Sequence, residues 1–161
     1  MDENLPWMRV RAPDIQAAMG TLSRLPPSRE EPAISLSRVD LRSVALHDSR
    51  LNGSRFRYAN LARSVLSGAW LEHADLTAAD LRRANLDHAH LARANLRRAS
   101  LQDANLRHAD LRHANLRGAN LHNATLDAAQ LTGAQADQAT IWPDGFDPDQ
   151  RHQRGIIENR T

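Results

Sequence analysis

A large apolar residue recurs every fifth position over most of the chain. Leu36, Leu41, Leu46, Leu51, Phe56 and Leu61 begin the series, leucine holds the phase to Leu131, and Ala136 and Ile141 end it. This gives 22 repeats from 36 to 141 with no insertion. A second fixed position lies two residues before each centre. It is Ile34, Val39, Val44, Ser49 and Ser54, then alanine from Ala59 to Ala139 with Ser64 as the exception. Between the two sits a polar residue, often Asn or Asp, as in Asn60, Asp75, Asp80, Asn85, Asn95, Asn105, Asp110 and Asn115.

Neither regular element has this period. In an α-helix five residues advance about 500°, a net rotation of about 140°, so the leucines would spiral around every face. In a straight strand five is odd, so successive leucines would point to opposite sides. Within one repeat the small residue and the leucine are two apart and share a side, and the residue between them points away. All leucines reach one core only if the chain turns a corner once per repeat. The two remaining residues, the most variable ones, supply that corner. A chain that keeps turning one way encloses its core, with Ala where the wall lies close and Leu filling the centre.

At 161 residues, with 41% apolar and 25% charged, the chain suits one folded domain. Aromatics are 4%, so the core is Leu and Ala. There are no cysteines, which removes disulfides and thiol chemistry. All 21 basic residues are Arg, and the net charge of +2 does not by itself call for a nucleic-acid partner. The start, Met1-Asp2-Glu3-Asn4, is polar and no apolar run nears membrane-spanning length, so a soluble, cytoplasmic protein is expected. No nucleotide-binding, hydrolase or zinc-protease motif occurs, so no catalytic residue, cofactor or metal site is expected.

Repeats such as Ala79-Asp80-Leu81-Arg82-Arg83 and Ala114-Asn115-Leu116-Arg117-Gly118 resemble the pentapeptide-repeat family of bacteria, over residues 34–143. Trp142-Pro143-Asp144-Gly145-Phe146 resembles the ending of many members. The resemblance implies an all-β solenoid: a right-handed quadrilateral β-helix with four repeats per coil and no enzymatic activity. Residues 20 apart then lie above one another, and both ends of the stack need caps.

Three regions follow. Residues 1–33 lack the repeat; Ile15, Ala18, Met19 and Leu22 share a helical face that would cap the first coil. Residues 34–143 are the solenoid. Residues 144–161 form a C-terminal cap, with Trp142 and Phe146 over the last coil, and a polar tail that is either disordered or in contact with a second copy, a homodimer.

The 20-residue columns put Arg57, Arg97 and Arg117 in line, with Arg38 and Arg98 beside them, and Arg42 and Arg82 in another line beside Arg63 and Arg83. The solenoid carries 14 Arg against 10 Asp and Glu, a charge of +4. Arg57, Arg82, Arg83, Arg97, Arg98, Arg117 and Trp70 are the candidate partner surface. Trp70 takes a slot usually held by Asn or Asp, between Arg50 and His90, and is expected to be covered by residues 1–33. His88 stacks with His108; the column His73, Arg93, His113 is interrupted by Arg, against a metal site. The function expected is a non-enzymatic interaction scaffold for an unidentified protein, with an acidic surface as the partner type that the arginines suit. The alternative, which the resemblance supplies, is a DNA mimic that binds gyrase and confers inhibitor resistance; a surface of +4 disfavours it.

Overall fold

The computed structural model describes residues 34–159. Parallel bridges join residues 20 apart, from Ser35–Arg55 through Asp80–Ser100 to Asn115–Gln135. Four repeats therefore complete one coil, and each coil pairs with the next along four walls. Walls 1 to 4 are those centred on Leu36, Leu41, Leu46 and Leu51, and each corner takes the number of the wall before it. The helical cap assigned to residues 1–33, and the cover it would give Trp70, lie outside the described residues.

The wall and corner roles match the five-residue pattern. Leu41 through Leu131, with Phe56, are buried in one continuous core lined by the alanines of the small position from Ala59 to Ala134. Ser49, Ser54 and Ser64 are buried at the small position, and Ser64 satisfies its hydroxyl on the Leu61 carbonyl at 2.7 Å. At each corner the next small residue donates to the leucine carbonyl, as in Ala99 N–H to Leu96 at 3.0 Å. The second corner residue has positive φ, 57° at Arg98 and 66° at Gly118. This is the type II β-turn, in which only the third residue is left-handed. Asp, Asn, His and Gly tolerate that conformation best, and they hold it at Asp48, Asn123, His88 and Gly68. A Cβ added to Gly68 would overlap the Asp48 carboxylate of the coil below.

The backbone hydrogen bonds explain the Asn/Asp position. In the repeat around Leu96, Asn95 N–H reaches Ala74 O, Leu96 N–H reaches Asn115 O and Arg98 N–H reaches Arg117 O, all at 2.8–2.9 Å. The remaining donor, Arg97 N–H, is taken by the Asn95 side chain at 3.3 Å. The same short loop closes at Asn60, Asp75, Asp80, Asn85, Asn105, Asp110, Asn115 and Asn120. The Asn or Asp thus caps the corner donor that no neighbouring coil reaches. Where Trp70 offers no acceptor, Glu72 N–H bonds Asn52 Oδ1 of the coil below instead, at 2.9 Å. Asn105 has a second role, since its Nδ2 donates to Asn85 Oδ1 at 3.0 Å. Asn105→Ala loses both bonds and should cost about 1–2 kcal/mol. Asn105→Asp keeps the cap and should cost less. Thermal unfolding of the two variants followed by circular dichroism checks the order.

The phase does not run unbroken to Ile141. It holds through Ala136 and then slips by one residue. Asn120 bridges Ile141 rather than residue 140; Ile141 is 49% exposed, and Thr140 is buried at the small position. Trp142 then packs against the core where a repeat centre would stand. The in-phase count is therefore 21 repeats, Leu36 to Ala136, not 22. The cause is a side-chain lock. Asp137 accepts from Gly118 N–H at 2.9 Å, Ala139 N–H at 3.1 Å and the Thr140 hydroxyl at 3.1 Å. Its carboxylate replaces the backbone carbonyl that Gly118 would otherwise find. Burial pushes the Asp137 carboxyl upward, and these donors outweigh it and hold it below its ordinary value.

The C-terminal segment continues the wall. β1 (Gln135–Asp137) pairs in parallel with β2 (Ile157–Asn159), Gln135 opposite Ile157. Between them lies α1 (Pro148–Gln153), capped by Asp147, whose side chain accepts from Gln150 N–H at 2.8 Å, with Pro at the first turn. Ile156 is buried, and Trp142 and Phe146 lie against the last coil as a tilted ring pair 5.3 Å apart. The tail, left open in sequence between disorder and contact with a second copy, packs through residue 159 on its own last coil. Ile156 inserts into the core end, and Arg154 reaches the open carbonyl of Leu126 at 2.9 Å. Among the described residues no helix is long and apolar enough to cross a membrane.

Candidate functional site

The two arginine-rich surfaces differ in a way that residue counts do not show. At corner 2, Arg42 and Arg82 fold back onto Asp40 and Asp80, two residues earlier on the wall, with closest approaches of 2.7 and 2.6 Å. Arg83 reaches Asp103 of the next coil at 3.5 Å. Arg42, Arg63, Arg82, Arg83 and Asp103 line an open groove of about 700 Å³. Most of its positive charge is therefore already matched. Arg112 makes the same backward pair with Asp110 at corner 4, at 2.6 Å. The side-chain hydrogen bonds from Arg82 and Arg112 are the main reason that the Asp80 and Asp110 carboxyls lie below their ordinary range.

Corner 1 is different. Its first positions are Ser37, Arg57, Thr77, Arg97 and Arg117, and its second positions are Arg38, Tyr58, Ala78, Arg98 and Gly118. The next residue of the first column, Asp137, is the one acidic side chain of this corner among the described residues, and its carboxylate is taken up by Gly118 N–H, Ala139 N–H and the Thr140 hydroxyl. Arg57 is 3.7 Å from Asp75 on the adjoining wall. Arg97, Arg98 and Arg117 make no side-chain ion pair among the described residues. The reason is local. On wall 1 the polar residues preceding Arg97 and Arg117 are Asn95 and Asn115, which accept the corner N–H groups but carry no charge. Arg38 lies over the Tyr58 ring, 5.8 Å from its centroid, and Tyr58 is 55% exposed. Corner 1 thus displays a stripe of arginines and a tyrosine on rigid turns one coil apart, about 4.8 Å.

Trp70 stands on wall 4, far from this stripe in the coil order. It is 43% exposed, and the His90 ring stacks on it at 4.3 Å. The structure thus brings Arg57, Arg97, Arg98 and Arg117 together at corner 1, Arg82 and Arg83 at corner 2, and leaves Trp70 apart. The expected His88–His108 stack is present, with ring centroids 4.4 Å apart and nearly parallel planes.

Comparison with known sequences agrees with this architecture. The family described as pentapeptide repeats matches in eight copies, over residues 34–72, 59–98, 74–112 and 104–142. The chain belongs to the pentapeptide-repeat family. Solved pentapeptide-repeat structures resemble it. The alr5209 protein of Nostoc Pcc 7120 is 30% identical, over 79% of this chain and 86% of that one, with a TM-score of 0.47. HetL of the cyanobacterium Nostoc sp. strain PCC 7120, a pentapeptide-repeat protein involved in heterocyst differentiation regulation, is 25% identical over 78% and 79%, with a TM-score of 0.45. QnrB1, a plasmid-mediated fluoroquinolone resistance protein, is 14% identical over 79% and 90%, with a TM-score of 0.37. No curated protein matches the sequence.

Proposed function

We propose that this pentapeptide-repeat protein is a non-enzymatic scaffold that binds an acidic protein surface through corner 1. The observation that carries the reading is the contrast between corners. Corner 2 pairs Arg42, Arg82 and Arg83 with Asp40, Asp80 and Asp103, whereas corner 1 leaves Arg97, Arg98 and Arg117 without acidic partners among the described residues. Unpaired guanidinium groups on fixed turns have little conformational freedom left to lose at the backbone, and they form bidentate pairs with carboxylates. Tyr58 adds an aromatic contact of the kind enriched at interfaces.

The test is a capture experiment on host lysate with the full chain at low and high salt. Two variants are compared with wild type: Arg57→Glu/Arg97→Glu/Arg98→Glu/Arg117→Glu and, as a matched control, Arg42→Glu/Arg63→Glu/Arg82→Glu/Arg83→Glu. Loss of a salt-sensitive partner in the first variant but not the second supports the reading. Retention of the same partners by the corner 1 variant overturns it. Gyrase supercoiling with and without a fluoroquinolone, titrated with the protein, examines the alternative of DNA mimicry. The expected result is no protection, because a positive stripe repels the positive groove that holds duplex DNA.

A further inference from the structure

Corner 3 gathers a second kind of chemistry. Its columns run His47, Ser67, Asp87, Arg107, Asp127 and Asp48, Gly68, His88, His108, Ala128. Three side chains converge there. His108 Nδ1 is 3.3 Å from Asp87 Oδ1, and His88 Nε2 is 3.9 Å from the same oxygen. The ligand atoms of all three lie within 4.8 Å of one another. We propose that Asp87, His88 and His108 form a binding site for a divalent transition-metal ion of the zinc class, completed by solvent.

The distances suit such an ion. In a tetrahedral site with metal–nitrogen and metal–oxygen bonds of about 2.0–2.2 Å, donor atoms stand roughly 3.3–3.5 Å apart. One pair already has that spacing. The two pairs that involve His88 are wider, 3.9 Å to Asp87 Oδ1 and within 4.8 Å of the His108 donor, so the His88 ring must swing inward and tilt out of its parallel stack on His108; rotation of an imidazole about its terminal torsion is soft. The side chains of His88 and His108 are 65% and 50% exposed, so the rings have solvent to move into once they leave their mutual stack. The donor set of two imidazoles and one carboxylate favours zinc, nickel or copper over magnesium or calcium, which prefer all-oxygen sites.

The scaffold supplies the preorganisation. Both histidines hold the left-handed corner position, with φ of 57° and 55°. Their N–H groups are fixed to the coil above, His88 to Arg107 O and His108 to Asp127 O, each at 2.9 Å. The two Cβ atoms are therefore set one coil apart, and Asp87 lies next to His88 on the same turn. Arg107, the neighbouring cation, is drawn aside by Asp127 at 3.1 Å. Small residues bound the site, with Gly68 below and Ala128 above, and leave room for coordinating water.

The experiment uses the full chain without any histidine tag. Zinc chloride is titrated calorimetrically at neutral pH, and cobalt chloride is followed by its visible d–d absorption. The expected result is one saturable equivalent of zinc and a cobalt spectrum with nitrogen ligation. His88→Ala, His108→Ala and Asp87→Ala should each weaken zinc binding at least tenfold, whereas His73→Ala and His113→Ala, at corner 4, should leave it unchanged. Circular dichroism checks that each variant keeps the fold, the expected result because all five positions are surface corners. The absence of a saturable equivalent, or equal binding by the corner 3 and corner 4 variants, overturns the proposal.

Discussion

Leu96→Asp is expected to abolish the cooperative unfolding transition, whereas Arg97→Asp, its neighbour in sequence, should move stability by less than about 0.5 kcal/mol. Leu96 is wholly buried in the middle of the stack, with the leucines of Leu76 and Leu116 below and above it on the same wall. Removing a buried leucine side chain alone costs about 2–5 kcal/mol. A carboxylate in its place adds several kcal/mol of desolvation, because an alanine-lined, leucine-filled core holds no cation to pair with it. Domains of this size are stable by about 5–15 kcal/mol, so the sum consumes most of the margin. A solenoid is held by contacts between adjacent coils, so a central fault also uncouples the coils below from those above. Arg97 points outward from a corner, and its N–H stays capped by Asn95 whatever the side chain is. Thermal unfolding by circular dichroism reads both variants. Similar midpoints would show that the wall positions are not those described.

Truncation after Pro143 is the second large effect expected: the shortened chain should melt earlier and self-associate. Residues beyond 143 close the top of the core. Ile156 is buried there, and Phe146 covers the last coil beside Trp142, which the truncation retains without its ring partner. β2 and the turn before it also satisfy the wall below: Ile157 N–H donates to Ala134 O, and Gly155 O accepts from Gly133 N–H, both at 2.8 Å. Arg154 donates to Leu126 O at 2.9 Å and Ala129 O at 3.4 Å, carbonyls that no further coil reaches. Its guanidinium also lies over the Phe146 ring at 5.4 Å. Without these groups an apolar core end and an unpaired parallel edge face solvent, a template for pairing with another chain. Glu158, held by Arg151 at 2.8 Å, places charge where a further coil would need a leucine. Arg154→Ala should cost about 1–3 kcal/mol by leaving the end carbonyls unpaired, without changing the assembly state. Sedimentation and thermal unfolding check both variants. A truncated chain that matches the full one in both would show that the segment does not cap the stack.

The period of five determined which side of the chain is inside. Small residue and leucine lie two apart and so share a side, and this alone assigned the core from Leu41 to Leu131. The polar slot was legible as outward-facing. That its Asn or Asp caps the corner donor two residues later appeared only with the hydrogen bonds, although the Asx preference for such turns was the available signal. Other features depended on what stacks on what. Ala139-Thr140-Ile141 fits the repeat as written, with isoleucine in the leucine place. The slip by one residue is set by Asp137 reaching Gly118 in the coil beneath. The two arginine lines look alike in sequence. They part because Asp40 and Asp80 stand two residues before Arg42 and Arg82, while Asn95 and Asn115 stand before Arg97 and Arg117. Asp87 belongs to a different column from His88 and His108, so column reading paired the histidines and missed the carboxylate. A five-residue code fixes each repeat by its own local geometry, and it is legible one repeat at a time. Charge pairing and ligand clusters are made across the 20-residue step between coils, where side chains distant in sequence first come within reach of one another.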